Sequence, residues 1–407
     1  MDELVIYHDD KEKNLADYIE EYTDIKNWKA SGVITTKQVK LPSKNSDKKY
    51  FTLPEKLREL LYFTKPDLVI CLDDGREPTR PIFVIEKTCA KVAQDHWLQR
   101  FNNLVGAAQL GIPGAYITPY DLSNDSTFPG KLDSAFFYAY GRVMEIHNMP
   151  IYIAEWETIA NNRQNLDCDM DPRFMSQPNH LSRSMANLIK FINLALEFER
   201  TGKDISKLMA DRLMVDLRGE MNIKAFSSIP QISDFNRLTH NMPGGAPLSK
   251  VQFDAYIARL GLTMPTNLPE RIGKRNEYVV FTPVIRGTQT KRHSTFVSRL
   301  EHGADPYVGQ PLAIDYMFCR LGKTPYERDK NLVIDLSFYE FKEFAKAYNT
   351  IHSKCPLKET KYTDVKKNLY KYGVITTEGC AQTQNVFWRI YTFAADLIIL
   401  KDGVLVF

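Results

Sequence analysis

"KPDLVICLDDGREPTRPIFVIEKT", residues 65–88, sets an aspartate before one apolar run, then a turn, then a second apolar run ending in a glutamate. "DLVICL" (67–72) and "IFVIEKT" (82–88) have the length and the β-branched, aromatic content of strands. "DDGREPTRP" (73–81) between them carries Asp-Gly and two prolines, which is turn chemistry. The stretch therefore predicts a β-hairpin with Asp67 and Glu86 at its open end.

Alternation along the second strand puts residues 84, 86 and 88 on one face. A glutamate facing inward there is costly unless something compensates its charge. Antiparallel pairing would bring Asp67 beside Glu86, and a divalent cation would relieve their repulsion. Mg²⁺ suits one or two carboxylates with water and phosphate oxygens. The plain alternative is a surface hairpin with charged ends. Asp73 and Asp74 read as turn residues, and Cys71 and Cys89 as small apolar strand residues.

Around the hairpin the chain predicts a helix over 13–25, a strand over 32–41 and a helix over 54–63, the last opened by Pro54. After it come a helix over 89–111, stopped by Gly111, and a buried strand over 112–120. This order predicts an α/β fold, a mixed β-sheet flanked by helices. "AFFYAYGRVMEI" and "MPIYIAEW" complete a first domain, residues 1–160. The polar, proline-interrupted stretch 161–180 reads as a boundary. A second, α+β C-terminal region follows over 181–407, beginning with the strongest helix signal (181–200) and ending in a hairpin at "ADLIILKDGVLVF".

At the hairpin the sequence resembles the PD-(D/E)xK nuclease superfamily, to which most type II restriction endonucleases belong. Pro66, Asp67, Asp74, Gly75 and Glu86 carry the likeness, and the helix and "GIPGAYIT" strand that follow extend it over roughly residues 50–155. The resemblance implies a restriction-endonuclease-like core with Asp67 and Glu86 as metal ligands. It also implies an acid from the preceding helix, Glu55 or Glu59. The position two after Glu86 is Thr88 where the family has lysine. Lys87 stands one residue early and should point away, whereas Lys91 could reach back, so both are candidates for the catalytic ammonium. His96 reads as a helix-surface residue.

Residues 271–299 hold seven basic side chains against Glu277 alone, a local +6 in a chain of net +3. Its "RGTQTKRH" loop, with Arg286, Gln289, Lys291, Arg292 and His293, suits contact with DNA phosphates and base edges; a solvated basic hairpin is the alternative. Six scattered cysteines without a CxxC pair fit reduced thiols and a cytoplasmic location. No long apolar run predicts a membrane span, and no GxxxxGK[ST] loop predicts a nucleotide cofactor. The expectation is a Mg²⁺-dependent endonuclease that cuts double-stranded DNA at specific sequences. A homodimer follows, since cutting both strands of a palindrome takes two sites. A catalytically degenerate nuclease fold that only binds DNA, and a structure-specific or RNA-directed nuclease, remain as alternatives.

Overall fold

The computed structural model describes residues 2–9, 12–41, 52–64, 66–88, 100–121, 132–158, 183–225, 247–282, 309–324, 326–338, 340 and 395–406. The chain divides into two compact units, Met1–Trp97 with Asn103–Ser227, and Leu98–Asn102 with Ser228–Phe407. Each is built on a mixed sheet flanked by helices.

In the first unit the elements run β1 (Asp2–His8), α1 (Lys13–Tyr22), α2 (Asp24–Ala30), β2 (Ile34–Lys40), α3 (Glu55–Phe63), β3 (Leu68–Asp73), β4 (Arg80–Lys87), α4 (Phe101–Gln109), β5 (Gly114–Asp121), α5 (Ser134–His147), β6 (Ile151–Thr158), α6 (Arg183–Arg200) and α7 (Arg212–Lys224). The six strands lie in the order β2-β1-β3-β4-β5-β6. β1 pairs parallel to β2 and antiparallel to β3, β3 and β4 form the antiparallel hairpin, and β5 and β6 continue parallel to β4. Five buried residues in a row in β3, and seven in β4, reflect burial on both faces.

The two faces of β4 meet different helices. Phe83 packs edge-on against Phe191 of α6, with ring centroids 5.1 Å apart. On the other face a Cβ at Gly114 would lie 2.7 Å from Val84 Cγ2 and 3.0 Å from Leu104 Cδ2. Glycine is thus what lets α4 sit close to the sheet here. Tyr116, two residues on, packs edge-on against Phe136 of α5 at 5.1 Å.

The hairpin turn is tied to α6. Gly75 takes a φ of 68°, Asp74 pairs with Arg76 at 2.5 Å and Arg80 at 3.2 Å, and Arg76 Nη2 donates to the Arg200 carbonyl at 3.0 Å. Burial pushes the Asp74 carboxyl up, but the hydrogen bonds and charges of Arg80 and Arg76 outweigh it and hold it well below the usual carboxylate range. Burial wins at Glu199, which meets Arg80 only at 3.5 Å and whose carboxyl is raised. Asp73 ends β3 and accepts from Thr79 Oγ1 at 2.9 Å. Both aspartates therefore serve the turn, as expected.

The first unit runs to Ser227, past the end expected at residue 160. The reason is that α6 lays its apolar stripe, Leu188, Phe191, Ile192 and Ala195, on the sheet of that unit. The stretch 161–180 expected as a linker lies outside the described residues.

The second unit comprises β7 (Leu248–Ser249), α8 (Lys250–Arg259), α9 (Glu270–Gly273), β8 (Glu277–Phe281), α10 (Gly309–Ile314), a π-helical turn (Asp315–Cys319), β9 (Asn331–Leu336), β10 (Leu397–Leu400) and β11 (Gly403–Val406). Its sheet has the order β11-β10-β9-β8-β7, with β8, β9 and β10 parallel. β10 and β11 form the expected hairpin across Lys401 and Asp402. Phe253 and Tyr278 stack at 4.1 Å in a core with Val280, Val333, Leu397 and Ile399. A buried charge network lies beside it. Asp315 pairs with Arg320 and Arg328 at 2.7 Å each, and Asp396 with Arg275 at 2.9 Å and Arg328 at 3.4 Å.

Candidate functional site

The β3–β4 ladder pairs Leu68 with Ile85, Val69 with Val84 and Ile70 with Phe83, then shifts so that Cys71 faces Pro81 and Leu72 faces Arg80. One extra residue, Ile82, is thereby bulged out of β4 beside a proline that has no N–H for the ladder. The bulge decides the site. Counted from the turn without it, Asp67 would face Ile85 and project to the face opposite Glu86. With it, continuing the register one step past the Leu68–Ile85 pair sets Asp67 opposite Glu86, and opposed residues of an antiparallel pair share a face.

Asp67 is fixed from both sides. Its Oδ2 accepts the backbone N–H of Lys87 at 2.7 Å, and its carbonyl accepts the N–H of Asp9 at 2.9 Å. Glu86 is 1% exposed at the end of its apolar strand. In the parallel β4–β5 ladder it lies beside Tyr116. Tyr140 of α5, 4.8 Å from Phe136, is pushed far above the usual phenol range by burial and by its neighbours Tyr116 and Glu86. Thr88 follows on the same face, its Oγ1 2.6 Å from the Tyr116 hydroxyl.

Lys87 alternates away as expected. Its ammonium lies 2.7 Å from Glu12 Oε2, the two side chains only 3% and 7% exposed. Cys71 is fully buried, and burial drives its thiol far above the normal range, which fits an apolar strand residue. Glu59 is on the exposed side of α3, 3.2 Å from Lys56, and Glu55 is exposed in the first turn of that helix. Among the described residues no three His, Cys, Asp or Glu side chains converge as a metal-binding group. Asp67 and Glu86 are hard oxygen donors, the ligand type that Mg²⁺ takes in ones or twos alongside water.

Lys91 and His96, and the whole of Arg286, Gln289, Lys291, Arg292 and His293, lie outside the described residues. The start of the basic stretch, Arg271–Arg275, makes contacts within the second unit. Arg275 is buried on Asp396, Lys274 pairs with Glu270 at 2.6 Å, and Arg271 lies over the Tyr326 ring at 5.1 Å. Of these three only Arg275 is buried; Lys274 remains exposed at the surface.

Glu12, Tyr116, Thr118 and Tyr140 stand near the end of β4 but are not singled out by the sequence. Period-two alternation through "GAYIT" carries a signal for Tyr116 and Thr118, because it places them on one face. Glu12 and Tyr140 come from distant elements and carry no local signal. Among the described residues no helix is long and apolar enough to cross a membrane. No family model, curated protein or solved structure matches the chain.

Proposed function

We propose that the chain is a Mg²⁺-dependent endonuclease acting on double-stranded DNA, of the restriction type and working as a homodimer. The observation that carries this reading is the placement of Asp67 opposite Glu86 on one face, at the end of two apolar strands. The order antiparallel hairpin, helix α4, parallel strand β5 supports it, since it is the order that the resemblance to PD-(D/E)xK nucleases implies. Asp67 and Glu86 would hold the cation. When bound, Mg²⁺ lowers the pKa of its water and offsets charge developing on the phosphate. Asp67 is pre-oriented by the Lys87 N–H, so its carboxylate has little freedom to lose on binding. Glu86 is held by its strand with Tyr116 at its side.

The second reading, a nuclease fold that binds DNA without cutting it, is favoured by one observation. The position of the usual motif lysine belongs to Thr88, and the ammonium of Lys87 is taken up by Glu12. Incubation of supercoiled plasmid with the protein and Mg²⁺, beside an EDTA control, separates the two. Nicked or linear product in the Mg²⁺ lane alone supports the endonuclease. Intact plasmid that is nonetheless retarded on a gel supports the binding protein.

A further inference from the structure

Past Glu86 the β4–β5 ladder continues one more step. Glu86 lies beside Tyr116 and Lys87 beside Ile117, and the Thr88 N–H donates to the Ile117 carbonyl at 2.8 Å. That step sets Thr88 beside Thr118. Alternation then puts Glu86, Thr88, Tyr116 and Thr118 on a single face. All four are buried, and Thr88 and Tyr116 are hydrogen-bonded to each other.

Thr118 differs from its neighbours. It is 1% exposed, and among the described residues its Oγ1 is buried without a hydrogen-bond partner. A buried hydroxyl in that state is costly. Valine has the same shape and suits a strand equally well, so packing alone gives no reason for the hydroxyl. Buried groups of this kind are met by ordered water when the surroundings are polar enough to give it two or more partners. Here the continued register puts Thr88 beside Thr118, and Glu86, two residues before Thr88, lies on the same buried face.

We propose that Thr118 is a positioning residue: with Thr88 it holds a water molecule against Glu86. The water site itself needs only the geometry above. Its identity as the water that is activated for hydrolysis rests on the endonuclease reading. In that role two neutral hydroxyls would orient the water at the place where the family uses an ammonium.

The test has two arms. In a crystal structure of the unmodified protein at high resolution, an ordered water is expected within hydrogen-bond distance of Thr118 Oγ1 and on the Glu86 side. A Thr118 hydroxyl bonded to protein alone would overturn the proposal, whether or not the protein cuts DNA. In plasmid cleavage with Mg²⁺, Thr118→Val should lower kcat by about ten- to hundredfold with little change in KM, the size expected when a reacting group loses its orientation. Thr118→Ser, which keeps the hydroxyl, should restore kcat to near the parent value, and the thermal midpoint of Thr118→Val should not fall. A valine variant with full kcat, or a serine variant as slow as valine, would overturn the catalytic role. A wild-type protein that shows the water but cuts nothing would retain the site and remove the endonuclease reading.

Discussion

The ammonium of Lys87 lies 2.7 Å from Oε2 of Glu12, joining the end of β4 to the start of α1 inside the first unit. Removing one member of a buried ion pair leaves a charge without its counterpart and costs about 3–5 kcal/mol. Glu12→Ala and Lys87→Ala should each lose about that much in urea unfolding. Glu12→Leu with Lys87→Met should recover most of the loss, because two apolar side chains leave no charge behind. A double variant as unstable as the sum of the singles would show that the pair contributes by shape rather than by charge.

The same pairing ranks the two lysines in catalysis. Lys87→Ala should change the cleavage rate little once the protein is kept folded at low temperature. Lys91→Ala should reduce it by about a hundredfold or more, the scale of a lost general acid or base. The opposite ranking, measured as single-turnover rates, would mean that Lys87 exchanges Glu12 for the substrate.

Asp67→Ala and Glu86→Ala should each abolish plasmid cleavage while leaving DNA binding in Ca²⁺ near normal. Asp67→Ala should also cost about 1–3 kcal/mol of stability, since it strands the buried Lys87 N–H that Asp67 accepts. Asp67→Asn keeps an acceptor and should cost less. Cleavage at the parent rate by either alanine variant would make the hairpin carboxylates structural.

Arg286, Lys291 and Arg292 replaced together by alanine should weaken DNA binding and flatten its salt dependence, because each lost phosphate contact removes roughly one released counterion. Arg275→Ala should act differently. Its guanidinium is buried on Asp396, so it should lower the stability of the second unit and leave the salt slope of the remaining folded protein unchanged. A salt titration read by fluorescence anisotropy distinguishes the two.

Asp74 should make the hairpin turn acid-sensitive. Its carboxyl lies well below the usual range in the folded protein, held there by Arg80 and Arg76 against the effect of burial. A depressed folded pKa stabilises fully above the unfolded value of about 3.9, and that contribution is lost as pH falls through the folded value. The stability gap between the parent and Asp74→Asn should therefore be constant from pH 7 down to about 5 and shrink below about pH 4. A gap that grew on acidification, in urea unfolding at each pH, would contradict this assignment.

Much of the local structure was determined by the sequence by itself. Apolar runs bounded by Asp-Gly and proline made the β3–β4 hairpin legible, Lys-Asp-Gly did the same for β10–β11, and alternation placed Thr88 with Glu86 and Lys87 apart from them. These signals act between residues near in the chain, through strand period and turn geometry. The tertiary structure alone decided which distant segments meet. Asp2–His8 becomes an interior strand because β2 and β3 complete its hydrogen bonds on either side. Residues 183–200 announce a helix but not its owner; packing of Phe191 on Phe83 gives it to the first unit. The register that sets Asp67 opposite Glu86 depends on one bulged residue, Ile82, whose parity no alternation pattern could count. A strand has period two, so a single inserted residue exchanges its faces, and only the paired ladder shows where the insertion falls.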